Sequence, residues 1–132
     1  MDIHCGVDLI ELDRFKKALS MGDSFKNRIF TPAEIAYCEA RGKAGSLQSY
    51  AVRFCAKEAV VKALGTGIAK GISFQDIEIK NKENGKPEVI LTGEALNIFK
   101  EMGAVSIDVS LAHSRDYAMA QAVFLTKCPH EE

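Results

Sequence analysis

Apolar and polar positions follow two different periods along this chain, and the points where the period changes mark its elements. Residues 3–10 alternate weakly and include Gly6, Val7, Leu9 and Ile10, which predicts a first strand with Asp8 near its end. From Glu11 to about Met21 the apolar positions Leu12, Phe15, Ala18 and Leu19 fall at helical spacing. Thr31-Pro32-Ala33-Glu34 is a helix start: Thr31 caps, Pro32 suits the first helical position, and Glu34 completes a capping box. That helix is expected to fade into a flexible loop at Gly42–Gly45, before a central helix from Ser46 to Leu64 that stops at Gly65. Asp76–Lys80 and Pro87–Leu91 both alternate, with Asn84-Gly85 between them, so a hairpin with a loop longer than two residues is predicted. A short helix over Glu94–Met102 follows, closed by Gly103. Val105, Ile107, Val109 and Leu111 then alternate with Ser106, Asp108, Ser110 and Ala112, and Tyr117–Leu125 reads as the antiparallel partner, turned through Ser114-Arg115-Asp116. Helices and antiparallel strands interleave without a βαβ rhythm, which makes the class α+β: one domain, with an antiparallel sheet against a long central helix. The tail after Lys127 is expected to fray.

The central helix is the unusual element. At about 100° per residue, Tyr50, Phe54, Val61 and Leu64 form a bulky stripe. Val52, Ala56, Ala59 and Ala63 form a second stripe, small enough to lie close against a sheet. A helix with two packing faces is largely buried. This one nevertheless carries Arg53, Lys57, Glu58 and Lys62, and buried charges need partners. Three cations against one carboxylate imply an anionic ligand, and Glu58 adds the prospect of a bridging metal.

Composition narrows the classes. The 132 residues allow one domain with a real core, and a net charge of −1 argues against a general nucleic-acid binder. The four cysteines include no Cys-x-x-Cys pair, so neither zinc nor a disulfide framework is suggested and a reduced, cytoplasmic setting is expected. No apolar run reaches membrane length and no signal-peptide pattern opens the chain.

Five constellations carry candidate chemistry. Glu58 and Lys62 are spaced as an i,i+4 helix pair, which alone is worth only about 0.2–0.5 kcal/mol. Asp8 alone reads as a strand-end cap; brought beside Glu58 it would complete two hard oxygen ligands, suited to magnesium shared with substrate phosphates. Asn84-Gly85-Lys86-Pro87 is a hairpin turn that also offers a cation where backbone can approach a ligand. Ser110-Leu111-Ala112-His113-Ser114 ends a strand with two hydroxyls and an imidazole, yet no nucleophile elbow, P-loop or dinucleotide fingerprint accompanies it. Between Arg14 and Arg28, five cations (Arg14, Lys16, Lys17, Lys26, Arg28) face Asp23 alone, a basic face able to steer an acidic protein.

Taken together these residues resemble holo-[acyl-carrier-protein] synthase, the short bacterial type of 4′-phosphopantetheinyl transferase. The resemblance rests on Gly6-Val7-Asp8-Leu9-Ile10-Glu11, on Arg53-Phe54-Cys55-Ala56-Lys57-Glu58-Ala59 with Lys62 and Gly65-Thr66-Gly67, and on Ser110-Leu111-Ala112-His113-Ser114. Phe30-Thr31 with Glu34, Phe74-Gln75-Asp76-Ile77-Glu78 and Asn84-Gly85-Lys86-Pro87 support it, in the same order and over nearly the whole chain. Cys55 stands where the family often has Ala, and the tail after Lys127 is extra.

The resemblance implies the 4′-phosphopantetheinyl transferase fold and transfer of phosphopantetheine from coenzyme A to a serine of apo-acyl carrier protein. Adenosine 3′,5′-bisphosphate is released, in support of fatty acid biosynthesis. It implies catalytic roles for Asp8, Glu58 and Lys62, with Asp8 and Glu58 holding Mg²⁺. Coenzyme A contacts are implied for Arg53, Lys57, Gly85, Lys86, Pro87, Ser110, His113 and Ser114, with Arg53 and the Lys86 turn toward the nucleotide end and its 3′-phosphate. Arg14, Lys17 and Arg28 are implied to dock the carrier protein. A homotrimer with interfacial sites is implied too, Asp8 and Glu58 from one subunit and the Lys86 turn from its neighbour. Three groups stay open as the base for the serine proton: Glu58, Asp8 through a metal-bound water, and His113, with a carboxylate-held water preferred. The competing classes are a non-catalytic coenzyme A or nucleotide-binding module, which needs the cations but not both carboxylates, and a purely structural trimer domain.

Overall fold

The computed structural model describes residues 1–68 and 71–127; the expected fraying of the tail beyond Lys127 lies outside the described residues. The elements run β1 (Asp2–Glu11), α1 (Leu12–Ser20), α2 (Asp23–Ile29), α3 (Pro32–Glu39) and α4 (Gly42–Leu64). A 3₁₀ turn at Phe74–Asp76 leads into β2 (Ile77–Asn81), β3 (Pro87–Leu91), α5 (Gly93–Glu101), β4 (Ala104–His113) and β5 (Tyr117–Thr126). The strands form two antiparallel sheets, β1-β5-β4 and the hairpin β2-β3, with α4 packed between them. The α+β expectation and the central helix stand.

The local reasons are those of the sequence. Thr31 Oγ1 accepts from the Glu34 amide while Glu34 Oε1 accepts from the Thr31 amide at 2.9 Å, closing the capping box of α3. Gly65 ends α4 with φ of 81°. The start of α4 differs from expectation. The flexible loop at Gly42–Gly45 is absent: Gly42, at φ of 76°, turns the chain sharply after α3, and Ala44, Gly45 and Ser46 already belong to the helix. One left-handed glycine does the work of a loop. The sequence pattern also misses α2, whose seven residues span too few turns to display a period.

The small stripe sets the spacing between α4 and the sheet. Ala56, Ala59, Val60 and Ala63 are buried, as are Ala118, Ala120, Ala122 and Phe124 on the facing side of β5. Gly6 of β1 comes closest: a Cβ there would lie 2.0 Å from the Ala59 carbonyl oxygen and 2.9 Å from the Ala63 nitrogen. Only glycine fits. On its other side α4 meets Phe30 through Tyr50 and the Phe15–Phe25–Phe54–Phe74 aromatics, with ring centroids 4.9–6.1 Å apart.

The outer face of the β1-β5-β4 sheet is left apolar and open. Ile3, Val7, Leu9, Tyr117, Met119 and Val123 are all exposed, Ile3 at 72%. The register sets Leu9 opposite Met119, so these side chains form one continuous patch.

Candidate active site

Period-two alternation turns Gly6, Asp8 and Ile10 of β1 toward α4, and the close approach at Gly6 brings Asp8 alongside the helix. There the structure joins Asp8, Glu58 and Lys62. Lys62 Nζ lies 3.2 Å from Asp8 Oδ1 and donates to the Val7 carbonyl at 2.8 Å. The sequence spacing paired Lys62 with Glu58; in the fold it reaches Asp8 instead. Asp8 Oδ2 is buried without a hydrogen-bond partner. Burial first, and the neighbouring Asp8 charge second, push the Glu58 carboxyl above the ordinary carboxylate range, with Lys62 pulling it back. Two carboxylates that raise one another's energy, one with an unused buried oxygen, form a centre short of positive charge. Among the described residues no cluster of three or more His, Cys, Asp or Glu ligands occurs. Two carboxylates are nevertheless the donor set that Mg²⁺ takes when substrate phosphates and water complete its shell, and the orphaned Asp8 oxygen fits that use.

Cys55 lies one turn before Glu58 on the same stripe. It is fully buried, its thiol donates to the Ala118 carbonyl at 3.5 Å, and burial with the Asp8 charge pushes its pKa up to about 12. It is an inert packing group.

A second centre lies around Arg53, which is 4% exposed. Its Nη1 donates to Ser49 Oγ at 2.9 Å and to the Ser49 carbonyl, and its Nη2 donates to Asn81 Oδ1. Its Nε has no partner, and among the described residues no carboxylate pairs with it. Arg53 lines a cleft of about 450 Å³ together with Tyr37, Arg41, Gln48, Asn81, Leu111 and His113. A buried guanidinium facing a cleft, with no carboxylate beside it among the described residues, can receive an anion there. The Lys86 turn is tied to it: Asn81, which accepts from Arg53, also donates through Nδ2 to the Gly85 carbonyl at 3.0 Å. Lys86 itself is exposed and pairs with Asp108 at 3.2 Å, beside Pro87 in a small groove. Ser110, on β4, is exposed and registers with Gln121; Ser114 closes the β4–β5 turn, its amide donating to the Tyr117 carbonyl.

Lys57 corrects the sequence expectation. It was placed among the coenzyme A contacts, but it is completely buried on the far side of α4. Its Nζ lies 2.7 Å from Glu34 Oε1 and donates to the carbonyls of Phe74, at 3.1 Å, and Ile77. Burial pulls its pKa below the ordinary lysine value, opposed by Glu34. All three donors of the ammonium are used within the fold, so none is left for a ligand. Glu34 is the residue that sequence reasoning spent on a cap; its second role carries no local signal. Asn81 at the end of β2, Tyr37 on α3 and Arg41 just before α4 also line the Arg53 cleft, and no local sequence pattern singles them out.

The cationic segment frames a third feature. Leu9, Ile10, Phe15, Phe25 and Phe54 line an apolar groove of about 450 Å³ with Arg14 at its edge, and the Arg28 guanidinium lies 5.9 Å from the Phe25 ring centroid. Lys17 is exposed on α1. No described helix is long and apolar enough to cross a membrane.

Comparison with known proteins places this geometry. A model of the 4′-phosphopantetheinyl transferase superfamily matches residues 4–122. A holo-[acyl-carrier-protein] synthase of Ruminiclostridium cellulolyticum is 51% identical over 124 residues, covering 93% of this chain and 92% of its own. Among solved structures, a Bacillus anthracis holo-(acyl-carrier-protein) synthase in complex with coenzyme A (3′,5′-ADP) superposes with a TM-score of 0.78 at 36% identity, over 94% of this chain and 96% of its own. The Helicobacter pylori holo-[acyl-carrier-protein] synthase in complex with coenzyme A gives 0.79 at 30% identity, over 92% and 99%. The readings as a non-catalytic nucleotide-binding module or a structural trimer domain therefore give way to an enzyme. The chain belongs to the 4′-phosphopantetheinyl transferase superfamily, among the holo-[acyl-carrier-protein] synthases.

Proposed function

We propose that this enzyme transfers 4′-phosphopantetheine from coenzyme A to a serine of an apo-acyl carrier protein, with Mg²⁺, in the cytoplasm and for fatty acid biosynthesis. The observation that carries the reading is the meeting of Asp8, from the first strand, with Glu58 and Lys62 on α4, leaving a buried carboxylate oxygen unsatisfied. Asp8 and Glu58 would hold Mg²⁺, which would supply Lewis-acid stabilisation to the pyrophosphate. The chain's own residues do the rest. The serine oxygen forms a bond to the phosphorus next to pantetheine, the bond from that phosphorus to the bridging oxygen breaks, and adenosine 3′,5′-bisphosphate leaves. Lys62, half exposed beside Asp8, adds a point charge where negative charge grows on the leaving group. Arg53 and the adjoining Lys86 turn hold the nucleotide end, with Ser110, His113 and Ser114 along its wall. Positioning and charge neutralisation dominate such a transfer.

The raised Glu58 pKa favours Glu58, or a water held by the two carboxylates, as the acceptor of the serine proton. His113 lines the Arg53 cleft, whose walls include neither Asp8 nor Glu58. It belongs with the nucleotide. Arg14 at an apolar groove, Arg28 over its Phe25 ring and the exposed Lys17 of α1 suit an acidic amphipathic helix of the carrier protein. The open face of β1 and β5 suits a homotrimer of this chain, in which a neighbour's Lys86 turn reaches the Asp8–Glu58 pair. The test is mass spectrometry of apo-carrier protein incubated with the enzyme, coenzyme A and Mg²⁺. A gain of about 340 Da, one phosphopantetheine joined through one phosphate, is expected. No gain with Mg²⁺ or any other divalent metal overturns the proposal.

A further inference from the structure

The 3₁₀ turn at Phe74–Asp76 belongs to a segment that carries the family resemblance, yet the transfer described above gives it no part. The turn is preset by its own polar groups. Ser73 Oγ accepts from the Gln75 amide at 3.2 Å, and Asp76 Oδ2 accepts from the Ser73 amide at 3.2 Å. Two contacts tie it to α4: the Phe74 carbonyl accepts from Lys57 Nζ at 3.1 Å, and the Phe74 ring centroid lies 5.8 Å from that of Phe54. On its other side Gln75 reaches α2. Its Nε2 donates to the Asn27 carbonyl at 2.6 Å and to the Phe30 carbonyl at 3.0 Å. A side-chain amide has two N–H donors, and both are spent on the end of this helix. α2 needs such help, because seven residues are too few for a helix to persist alone. Gly22 gives its start no side-chain cap, and the Asn27 carbonyl falls in the last turn, where carbonyls lack partners within the helix. Its other ties are packing of Phe25 against Phe15 and Phe54, the buried Ile29, and Lys26 at 3.6 Å from Glu39. This same helix supplies Phe25 to the wall of the apolar groove and Arg28 over the Phe25 ring.

We infer that Gln75 is a positioning residue for carrier recognition. By capping the end of α2 it fixes Phe25 and Arg28 relative to α4, the helix of Glu58, so that a docked acidic helix brings its serine to the Asp8–Glu58 pair. The inference rests on the carrier-docking reading above and deepens it. Gln75 acts through α2 and touches neither the carboxylates nor Lys62. The walls of the Arg53 cleft and of the groove beside Lys86 include no residue of α2, so coenzyme A binding is independent of this link.

The test compares the parent with Gln75→Met, which keeps the length of the side chain without its N–H donors, and with Gln75→Lys, which keeps donors. Hydrogen exchange of the free enzyme reads α2 directly. In Gln75→Met the amides from Asn27 to Phe30 should exchange about fivefold faster, the worth of one hydrogen bond, with α4 unchanged. Gln75→Lys should restore the protection. In turnover with carrier varied at saturating coenzyme A, Gln75→Met should raise the carrier KM about fivefold and leave kcat near the parent value. Calorimetry should find its coenzyme A affinity unaltered. A merely structural role would lower the melting temperature and weaken both ligands alike, and that result overturns the inference. Arg14→Glu separates the two ways of failing. If it leaves the carrier KM unchanged, the docking reading falls and the inference with it. If it raises the carrier KM while Gln75→Met raises neither that KM nor the exchange of α2, the docking face stands and the inference alone is overturned.

Discussion

Glu34→Gln tests whether Lys57 belongs to the fold or to the ligand. The Glu34 carboxylate accepts from the Thr31 amide at 2.9 Å, the Ile79 amide at 2.8 Å and Lys57 Nζ at 2.7 Å. A glutamine offers one carbonyl oxygen and one NH₂ donor in their place. Whichever way the amide turns, at least one buried N–H faces another donor, and the Lys57 charge loses its counter-ion. Removing one partner of a buried ion pair costs about 3–5 kcal/mol. With a urea m-value of about 1–3 kcal/mol/M, the unfolding midpoint should fall by about 2 M. Lys57→Met should cost a similar amount, for Glu34 is then the stranded charge. In the double variant both stranded charges are gone, so the combined loss should fall short of the sum by about 2–3 kcal/mol. The pH dependence carries a sign. Burial already holds the Lys57 pKa below its value in the unfolded chain, 10.5, and Glu34→Gln lowers it further. A lowered lysine contributes stability that is present above the unfolded value and lost as pH falls through the folded one. The deficit of Glu34→Gln relative to the parent should therefore narrow as pH rises from 7 toward 10.5. Folded Lys57→Met, held at low temperature, should still bind coenzyme A. Additive losses, a Glu34→Gln cost below about 1 kcal/mol, or coenzyme A affinity lost while the fold remains would each refute the structural assignment.

Four further outcomes follow from the site and its frame. Glu58→Gln should abolish most carrier modification yet stabilise the ligand-free protein at pH 7. A carboxylate with a raised pKa favours the fold below its unfolded value, 4.5, and that favour is lost as pH climbs through the folded value; the gain from Gln should vanish in melts run below pH 4.5. Gly6→Ala drives a methyl into the Ala59 carbonyl, so a loss of about 3 kcal/mol or more in chemical denaturation is expected, and unchanged stability would contradict the close approach. Arg14→Glu should weaken carrier binding in titrations far more than coenzyme A binding, with the parent interaction fading as salt rises; equal effects on both would remove the docking face. Val7→Arg on the open sheet face should convert a trimer to smaller species in light scattering, and an unchanged mass would place the subunit contact elsewhere.

How much of this was legible beforehand depended on whether a signal is local. The capping box at Thr31, the stop at Gly65 and the alternation of β4 and β5 are all written in neighbouring residues, and each element formed within a few positions of expectation. Asp8 and Glu58 could be proposed as partners only through resemblance, since fifty residues separate them and nothing local says that β1 lies on α4. The Gly6 contact is the physical reason that it does. Lys57 was misjudged for the same cause. Its partner Glu34 already had a sufficient local explanation in the capping box, so its second use as a buried counter-charge stayed hidden.

The correction at Lys57 changes how the central helix works. The surplus of positive charge read from α4 counted three cations, but one is neutralised inside the protein by Glu34. The two that remain serve different ends: Lys62 leans on Asp8, and Arg53 faces the cleft it shares with Tyr37 and His113. The buried pair then has a consequence for the site. Lys57 sits next to Glu58 in sequence, about 100° around the helix. By anchoring Lys57 to α3 and to the backbone of the 3₁₀ turn and the first residue of β2, the pair fixes the rotation of α4, and so fixes Glu58 toward β1. A glycine on the strand sets the distance and an ion pair on the opposite face sets the angle. The meeting of Asp8 and Glu58, two like charges that gain nothing from each other before a ligand binds, is held in place by contacts that neither of them makes.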